Sequence, residues 1–208
     1  RIGQFVIAQR WDGRGLSIEK RTLLQSLKDG PRLVTELAEQ GPLVAQWIRS
    51  LEARQMVLRS AFTPTDALHV LGRLDLWDAE ASRIGARLLG RQTGLSAEML
   101  CQRVVDGVSD RVAKALITKV LGDEGTLPNW DREPAAEEML SRALRRRMDS
   151  DLACQISLRQ PLVAIGAPVE AYMPRVAQQL NTELVIPSDA EIANAVGAVT
   201  GSVVQQIR

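Results

Sequence analysis

Apolar residues recur along this chain with two different spacings. Between residues 17 and 148 they return every three or four positions, which is typical of helices with one buried face. Beyond residue 150 they alternate with polar residues or form short runs, which is typical of strands. The order of these patterns predicts a helix-rich α/β protein.

The segment 17–61 predicts three short helices followed by a strand. A helix begins near Ser17, and Gly30-Pro31 and Gly41-Pro42 separate it from the next two. The third helix has an apolar stripe at i, i+3, i+4 and i+7, formed by Val44, Trp47, Ile48 and Leu51. This arrangement resembles a winged helix-turn-helix, whose third helix would be the recognition helix. The polar residues that this helix would expose are Gln46, Arg49, Ser50 and Arg54.

These polar residues leave two interpretations open. Arginine and glutamine contact the phosphates and base edges of nucleic acids. Alternatively, the arginines form a solvated face on a module that packs against protein. Residues 1–61 hold ten Lys/Arg and six Asp/Glu, a net charge of +4, whereas residues 62–208 hold a net charge of −3. A charge of +4 is small for binding driven by counterion release, so the sequence favours the second interpretation.

The change in charge and in apolar spacing near Phe62 predicts the domain boundaries. We expect residues 1–16 to form an edge strand that leads into a larger lobe. Residues 17–61 would be a winged-helix-like insertion, and residues 62–208 would form the C-terminal lobe.

The larger block begins with the signals of a helix start. Thr63 suits an N-cap, Pro64 suits the first helical position, and Asp66 at the third position completes a capping box. A second interpretation places Thr65, Asp66 and His69 along a cleft, because residues three or four apart share a helix face. The cap is the favoured interpretation.

The rest of this block predicts helices and then a strand–helix–strand unit. The helices run from Asp78 to about Gly90, from Ser96 to Leu121, and on to about Met148. The alternation of Cys154, Ile156 and Leu158 predicts a half-buried strand. Parallel strands covered on both faces are predicted at 162–165 and 183–186, with a helix from Pro174 between them and a capping box at 188–191. Ligands of such units bind at the carboxyl ends of the strands, which points to the turn at 166–168.

Three separated segments resemble the hydantoinase/oxoprolinase family. They are Thr-Pro-Thr-Asp-Ala-Leu-His-Val-Leu-Gly-Arg at 63–73, Leu-Val-Ala-Ile-Gly-Ala-Pro at 162–168, and Val-Ile-Pro at 185–187 followed by Ala-Asn-Ala-Val-Gly-Ala at 193–198. They occur in the family's order over about residues 62–208, and Arg-Ile-Gly-Gln at 1–4 is similar to the segment that precedes this region. The resemblance implies part of a ribonuclease-H-like lobe of the actin-like ATPase fold, in which two lobes clamp ATP.

The resemblance also implies an activity for the parent protein. It would be an ATP-dependent amidohydrolase that opens cyclic amides such as hydantoin or 5-oxoproline, with ATP and Mg²⁺ as cofactors. The turn formed by Ile165, Gly166, Ala167 and Pro168 would contact the adenosine, although it has one glycine where the fold usually has two, and Pro168 has no N–H to donate. The resemblance does not assign a catalytic residue within this chain.

The phosphate-binding Asp-x-Gly-Gly-Thr hairpins of that family do not occur in these 208 residues. We therefore expect the chain alone to be inactive and to hold no nucleotide tightly. Its first partner would be the missing N-terminal part of the same chain. The sequence leaves open whether the protein also forms a homo-oligomer or a hetero-oligomer.

Composition argues against several other classes of protein. With 26 Lys/Arg and 25 Asp/Glu the net charge is +1, which argues against a histone-like binder. No apolar run approaches membrane-spanning length, and one histidine with two cysteines predicts neither a metal site nor a disulfide framework. The chain opens at Arg1 without methionine or a leader, so we expect a cytoplasmic piece of a longer protein.

Two other functional classes stay open from the sequence. In the first, a regulator keeps the actin-like lobe as a sensor and uses residues 17–61 to bind DNA. In the second, the chain is a scaffold in a larger assembly. The residues that could anchor its interface are Trp11, Trp47, Trp77 and Trp130, although packing in the core or in loops is the favoured role for each.

Overall fold

The helices form in the order that the apolar spacings predict, whereas not every predicted strand forms. The computed structural model describes residues 3–10, 12–145 and 151–200. The first elements are β1 (Gln4–Ala8), α1 (Ile18–Ser26), β2 (Arg32–Leu33), α2 (Val34–Ala38), α3 (Val44–Ala53), β3 (Val57–Ala61), α4 (Pro64–Val70) and α5 (Ala79–Thr93). They are followed by α6 (Ala97–Asp123), α7 (Pro134–Arg145), β4 (Leu162–Val163), α8 (Val169–Gln179), β5 (Leu184–Val185), a 3-10 turn (Ala190–Ile192) and α9 (Ala193–Thr200). The protein is thus a helix-rich α/β chain with small sheets.

The first sheet is antiparallel and has the strand order β2-β1-β3. Phe5 pairs with Leu33 on one side and with Ser60 on the other. The sequence predicts an edge strand within residues 1–16, and that prediction is wrong, because β1 is the central strand. β2 lies just before α2 and β3 just after α3, and both pair antiparallel with β1, one on each of its edges.

The two faces of this sheet are covered by different helices. Val6 and Val57 point to one face, where α1, α2 and α3 supply a buried cluster. The helix residues of that cluster are Leu23, Leu24, Leu27, Leu37, Val44, Ile48 and Leu51. Phe5 points to the other face and is buried with Leu33 and Leu89 of α5. Burying one such side chain contributes about 1.5–3 kcal/mol, so both faces stabilise the sheet.

Helices α4 and α5 begin and end with the expected local signals. The Thr63 side chain accepts a hydrogen bond from the Asp66 N–H, and the Asp66 side chain accepts one from the Thr63 N–H, so the predicted capping box is confirmed. Asp78 caps α5 by accepting from the Glu80 and Ala81 N–H groups. Gly94 ends α5 in the left-handed conformation that glycine adopts without strain.

The chain divides into two compact units, Arg1–Gln102 and Arg103–Arg208. The sequence places a boundary near Phe62, which the described packing does not mark. The reason is that Phe62 and Leu88 pack against the cluster around Phe5, so α4 and α5 belong with the first sheet.

The second unit has its own apolar core. It forms where α7, α8 and the part of α6 that follows Gln102 meet. Its buried members are Ala113, Ile117, Leu140, Leu144, Val176 and Leu180. None of the helices within the described residues combines the length and the apolar character that a membrane crossing requires.

Strands β4 and β5 form the predicted parallel pair, with Leu162 opposite Leu184 and Val163 opposite Val185. Leu162 packs on the core of the second unit, whereas Val163 is 64% exposed. Ile165 and Val185 are exposed on the side of Val163. The prediction that both faces of this pair are covered is therefore wrong for the described residues, because the helices of the unit pack on one face only.

Three local predictions in this unit are also wrong. Residues 151–160 do not form a strand: Leu158 donates its N–H to the Leu180 carbonyl at the end of α8, which is not part of a sheet. Pro174 lies inside α8 instead of at its start. Residues 188–191 do not close a capping box, because the chain first makes the 3-10 turn and its N-cap, Asp189, forms no side-chain cap.

Candidate functional site

The turn between β4 and α8 contains the four residues predicted to contact adenosine. Gly166 has φ +99°, a conformation that side chains with a Cβ rarely adopt. A Cβ built on Gly166 would meet no atom within 4 Å, so the space beside its Cα is open. Ile165 and Ala167 are exposed, and the Ala167–Pro168 peptide bond is cis. The turn therefore presents bare backbone at the carboxyl end of a parallel strand.

The hydrogen bonds of this turn limit what it can bind. The Gly166 N–H donates to the Ala190 carbonyl at 2.6 Å, and Pro168 has no N–H. The Gly166 carbonyl accepts from the Val169 N–H at 3.3 Å, which starts α8. A phosphate needs several convergent N–H donors, which this turn does not offer. A flat ring or a sugar needs close approach, which the open side of Gly166 allows.

The three residues of α4 that were predicted to line a cleft do not lie together in the structure. Asp66 lines a cleft on the face of the first sheet to which Phe5 points, which we call the outer face. Thr65 does not line that cleft, and its carbonyl contacts His69 Nδ1 at 2.8 Å. His69 is 3% exposed and stacks on Trp77 with the ring centroids 5.8 Å apart. The three residues thus share a helix but not a site.

The hydrogen bonds of His69 define its tautomer. Nδ1 faces a carbonyl oxygen, so it must carry the proton. Nε2 lies 3.2 Å from the Leu76 N–H and 3.1 Å from the Trp77 N–H, so it must accept. Both nitrogens are committed to the backbone, and His69 holds the segment after α4 in place.

The surface of α3 carries the residues predicted to contact nucleic acid. Gln46 and Arg49 are exposed, because the opposite side of the helix is buried on the first sheet. Arg54, at the end of the helix, is exposed and donates to the Gly15 carbonyl at 3.2 Å. Ser50 is partly buried and accepts a hydrogen bond from Lys20 Nζ at 2.8 Å, which places a further cation beside α3. The predicted residues therefore lie together along one side of the helix.

One polar cluster was not predicted from the sequence. On α8, Arg175 lies 3.4 Å from Asp106 and 3.4 Å from Asp110, two α6 residues one turn apart. The buried Gln179 donates to Asp110 Oδ1 at 2.6 Å and to the Leu144 carbonyl at 3.0 Å. These bonds join α6, α7 and α8, which is a structural role. The i, i+4 spacing of both pairs was a usable signal, but nothing in the sequence joined the two helices.

The described residues do not fit a magnesium–triphosphate group. No set of three or more His, Cys, Asp or Glu side chains within them is arranged to hold a metal ion. In the β4–α8 turn the Gly166 N–H is engaged by the Ala190 carbonyl and Pro168 has no N–H, which leaves few donors for a phosphate. The open space beside Gly166 lets a flat group approach the backbone there.

Comparison with known proteins adds no relative. No family model, curated protein or solved structure matches this chain.

Proposed function

We propose that this chain is part of an ATP-dependent amidohydrolase that resembles the hydantoinase/oxoprolinase enzymes and opens cyclic amides. Its own contribution would be to contact the adenosine of the nucleotide with the turn at 165–168. The observation that carries the proposal is the open, positive-φ Gly166 at the carboxyl end of β4. Ligands of parallel α/β units gather at that end of the strands.

The chemistry of the turn supports adenosine and not phosphate as its target. Its exposed Ile165 side chain offers apolar surface to a flat base, and Gly166 lets a ring approach the backbone. When ATP is bound, it would supply the phosphoryl group that activates the amide oxygen. The residues of this chain would bind and orient the far end of that nucleotide.

The test is a titration of the chain with ADP, in which saturation-transfer NMR on the adenine protons measures binding. In Gly166→Ala the new Cβ occupies the open space, and we expect the affinity to fall about tenfold, which corresponds to about 1.4 kcal/mol. Gly125→Ala is the matched control, because Gly125 also has positive φ and open space around it. Both variants carry similar backbone strain, so only the ligand contact differs.

Equal ADP affinity of the two variants would contradict the proposal. An ADP signal that phosphate alone displaces would also contradict it, since the turn is assigned to the adenosine.

A second candidate function is nucleic-acid binding by the first unit. It is favoured by the row of cations at α3, where Lys20 and Arg54 flank the exposed Arg49. Helices α1, α2 and α3 precede β3, which is the order that the winged-helix interpretation predicts. Such a row would meet phosphates while Gln46 reaches a base edge.

This candidate is tested by fluorescence anisotropy with a labelled duplex DNA over a series of salt concentrations. If it is correct, Arg49→Ala weakens binding and lowers the slope of log K against log salt by about 1. Arg91→Ala, an exposed arginine on α5, is the control and is expected to leave binding unchanged. Binding that is weak at low salt, or equal loss in both variants, would exclude this function.

A further inference from the structure

We propose that the cleft between the outer face of the first sheet and α5 binds a small organic ammonium ion that carries one apolar ring. This site lies in the first unit, so the proposal is independent of the adenosine turn.

The cleft has the size and the walls of a small-molecule site. Its volume is about 330 Å³, at the lower end of the range for ligand pockets, which is roughly 300–1,000 Å³. The large apolar side chains that line it are Phe5, Ile7, Phe62, Ile84 and Leu88, and smaller ones come from Pro31, Ala61 and Ala81. Ile84 is 42% exposed, so the cleft opens to solvent beside α5. A single ring fits such walls, whereas a longer chain would extend into water.

The polar wall of the cleft accepts hydrogen bonds. Asp66 Oδ2 receives the Thr63 N–H at 2.7 Å and the Thr63 hydroxyl at 2.6 Å. Asp66 Oδ1 receives the Ser82 hydroxyl at 2.9 Å, and it keeps acceptor capacity because a carboxylate oxygen has two lone pairs. The Ser82 hydroxyl donates its one hydrogen bond to Asp66, so its oxygen is left to accept. A ligand at this wall must therefore bring donors.

The charge of the cleft selects the kind of donor. Among the described residues that line it, Asp66 alone is charged. The ion pairs within the described parts of the chain do not include Asp66. A carboxylate at an apolar wall attracts a cation more strongly than it would in bulk water, because the apolar surroundings screen less. An ammonium group on a ring thus complements both walls.

The experiment uses benzylamine, as its ammonium ion at neutral pH, and follows the amide NMR signals of the whole chain. Benzyl alcohol is the neutral probe of the same shape, and benzoate is the anionic one. We expect benzylammonium to shift signals around the cleft and to bind about tenfold more tightly than benzyl alcohol, since a charge-assisted hydrogen bond is about twice as strong as a neutral one. Benzoate is expected not to bind.

Two pairs of variants locate the site. Asp66→Asn removes the charge at constant size, and Asp75→Asn is its control, an exposed aspartate outside the cleft. Ala81→Leu fills the cleft, and Ala45→Leu is its control, an exposed alanine on α3. We expect benzylammonium binding to fall about tenfold in Asp66→Asn and to be lost in Ala81→Leu, with both controls unchanged.

Equal affinity of benzylammonium and benzyl alcohol would overturn the assignment of the charge. Undiminished binding in Ala81→Leu, or no signal shifts around the cleft at all, would overturn the site. Circular dichroism checks the fold of each variant. If Asp66→Asn does not fold, the comparison of the three probes and the Ala81→Leu variant still test the proposal.

Discussion

At the scale of single residues, Cys101 illustrates how its surroundings change a side chain. The thiol is buried, and desolvation together with the negative charges of Glu98 and Asp66 raises its pKa to about 11. Because the thiolate is the reactive form, we expect iodoacetamide to modify the half-buried Cys154 first at mildly alkaline pH. Cys101 is expected to react only in urea. Peptide mass spectrometry over time measures both rates, and equal rates in the folded protein would contradict this prediction.

The same raised pKa affects stability in a defined direction. The ordinary value for a thiol is 9.0, so the unfolded chain loses this proton at a lower pH than the folded chain. The contribution to stability is therefore fully present below about pH 9 and decreases as the pH rises towards 11. Urea unfolding of the wild type against Cys101→Ala across this interval isolates the effect.

At the scale of elements, His69 connects α4 to the segment that follows it. His69→Ala would leave the Leu76 and Trp77 N–H groups without their side-chain acceptor and would remove the hydrogen bond from Nδ1 to the Thr65 carbonyl. We expect a loss of about 2 kcal/mol or more in the free energy of unfolding, measured by circular dichroism in urea. Trp77→Ala is the control: Trp77 is 70% exposed, so losing its stacking is expected to cost less. A larger loss in the control would contradict this role for His69.

The sequence predicts elements better than it predicts their surroundings. The apolar stripe of α3 and the start of α4 at Thr63 could be located because their signals are local. The exposure of Val163 could not, because the number of faces that neighbouring helices cover is a tertiary property. The central place of β1 depends on pairing with residues about fifty positions away, which no local pattern encodes.

The candidate sites show the same difference between local features, which the sequence predicts, and tertiary contacts, which it does not. Asp66 was found because a capping carboxylate has a recognisable spacing. The role of His69 was not found, since its partners are backbone groups in a segment without periodicity. The walls of the cleft come from five separate stretches of chain, so only the folded structure brings them together.

At the scale of the whole molecule, we expect these 208 residues alone not to hydrolyse hydantoin or 5-oxoproline with ATP and Mg²⁺. The family's Asp-x-Gly-Gly-Thr hairpins do not occur in the sequence, and the β4–α8 turn has too few donors for phosphate. Release of inorganic phosphate and of the ring-opened product measures turnover. Phosphate release that depends on the substrate would refute this expectation, provided that it is lost in the Gly166→Ala variant and retained in the Gly125→Ala variant.

The exposed side of the β4–β5 pair has a practical consequence for handling the protein. Val163, Ile165 and Val185 form a small exposed apolar strip on one face of the pair, and such a strip favours association between molecules. Concentrated samples are therefore expected to cloud earlier than the net charge alone suggests. Ammonium sulfate strengthens the association of apolar surfaces, so it will lower the protein concentration at which the solution becomes turbid. Val163→Lys will raise that concentration.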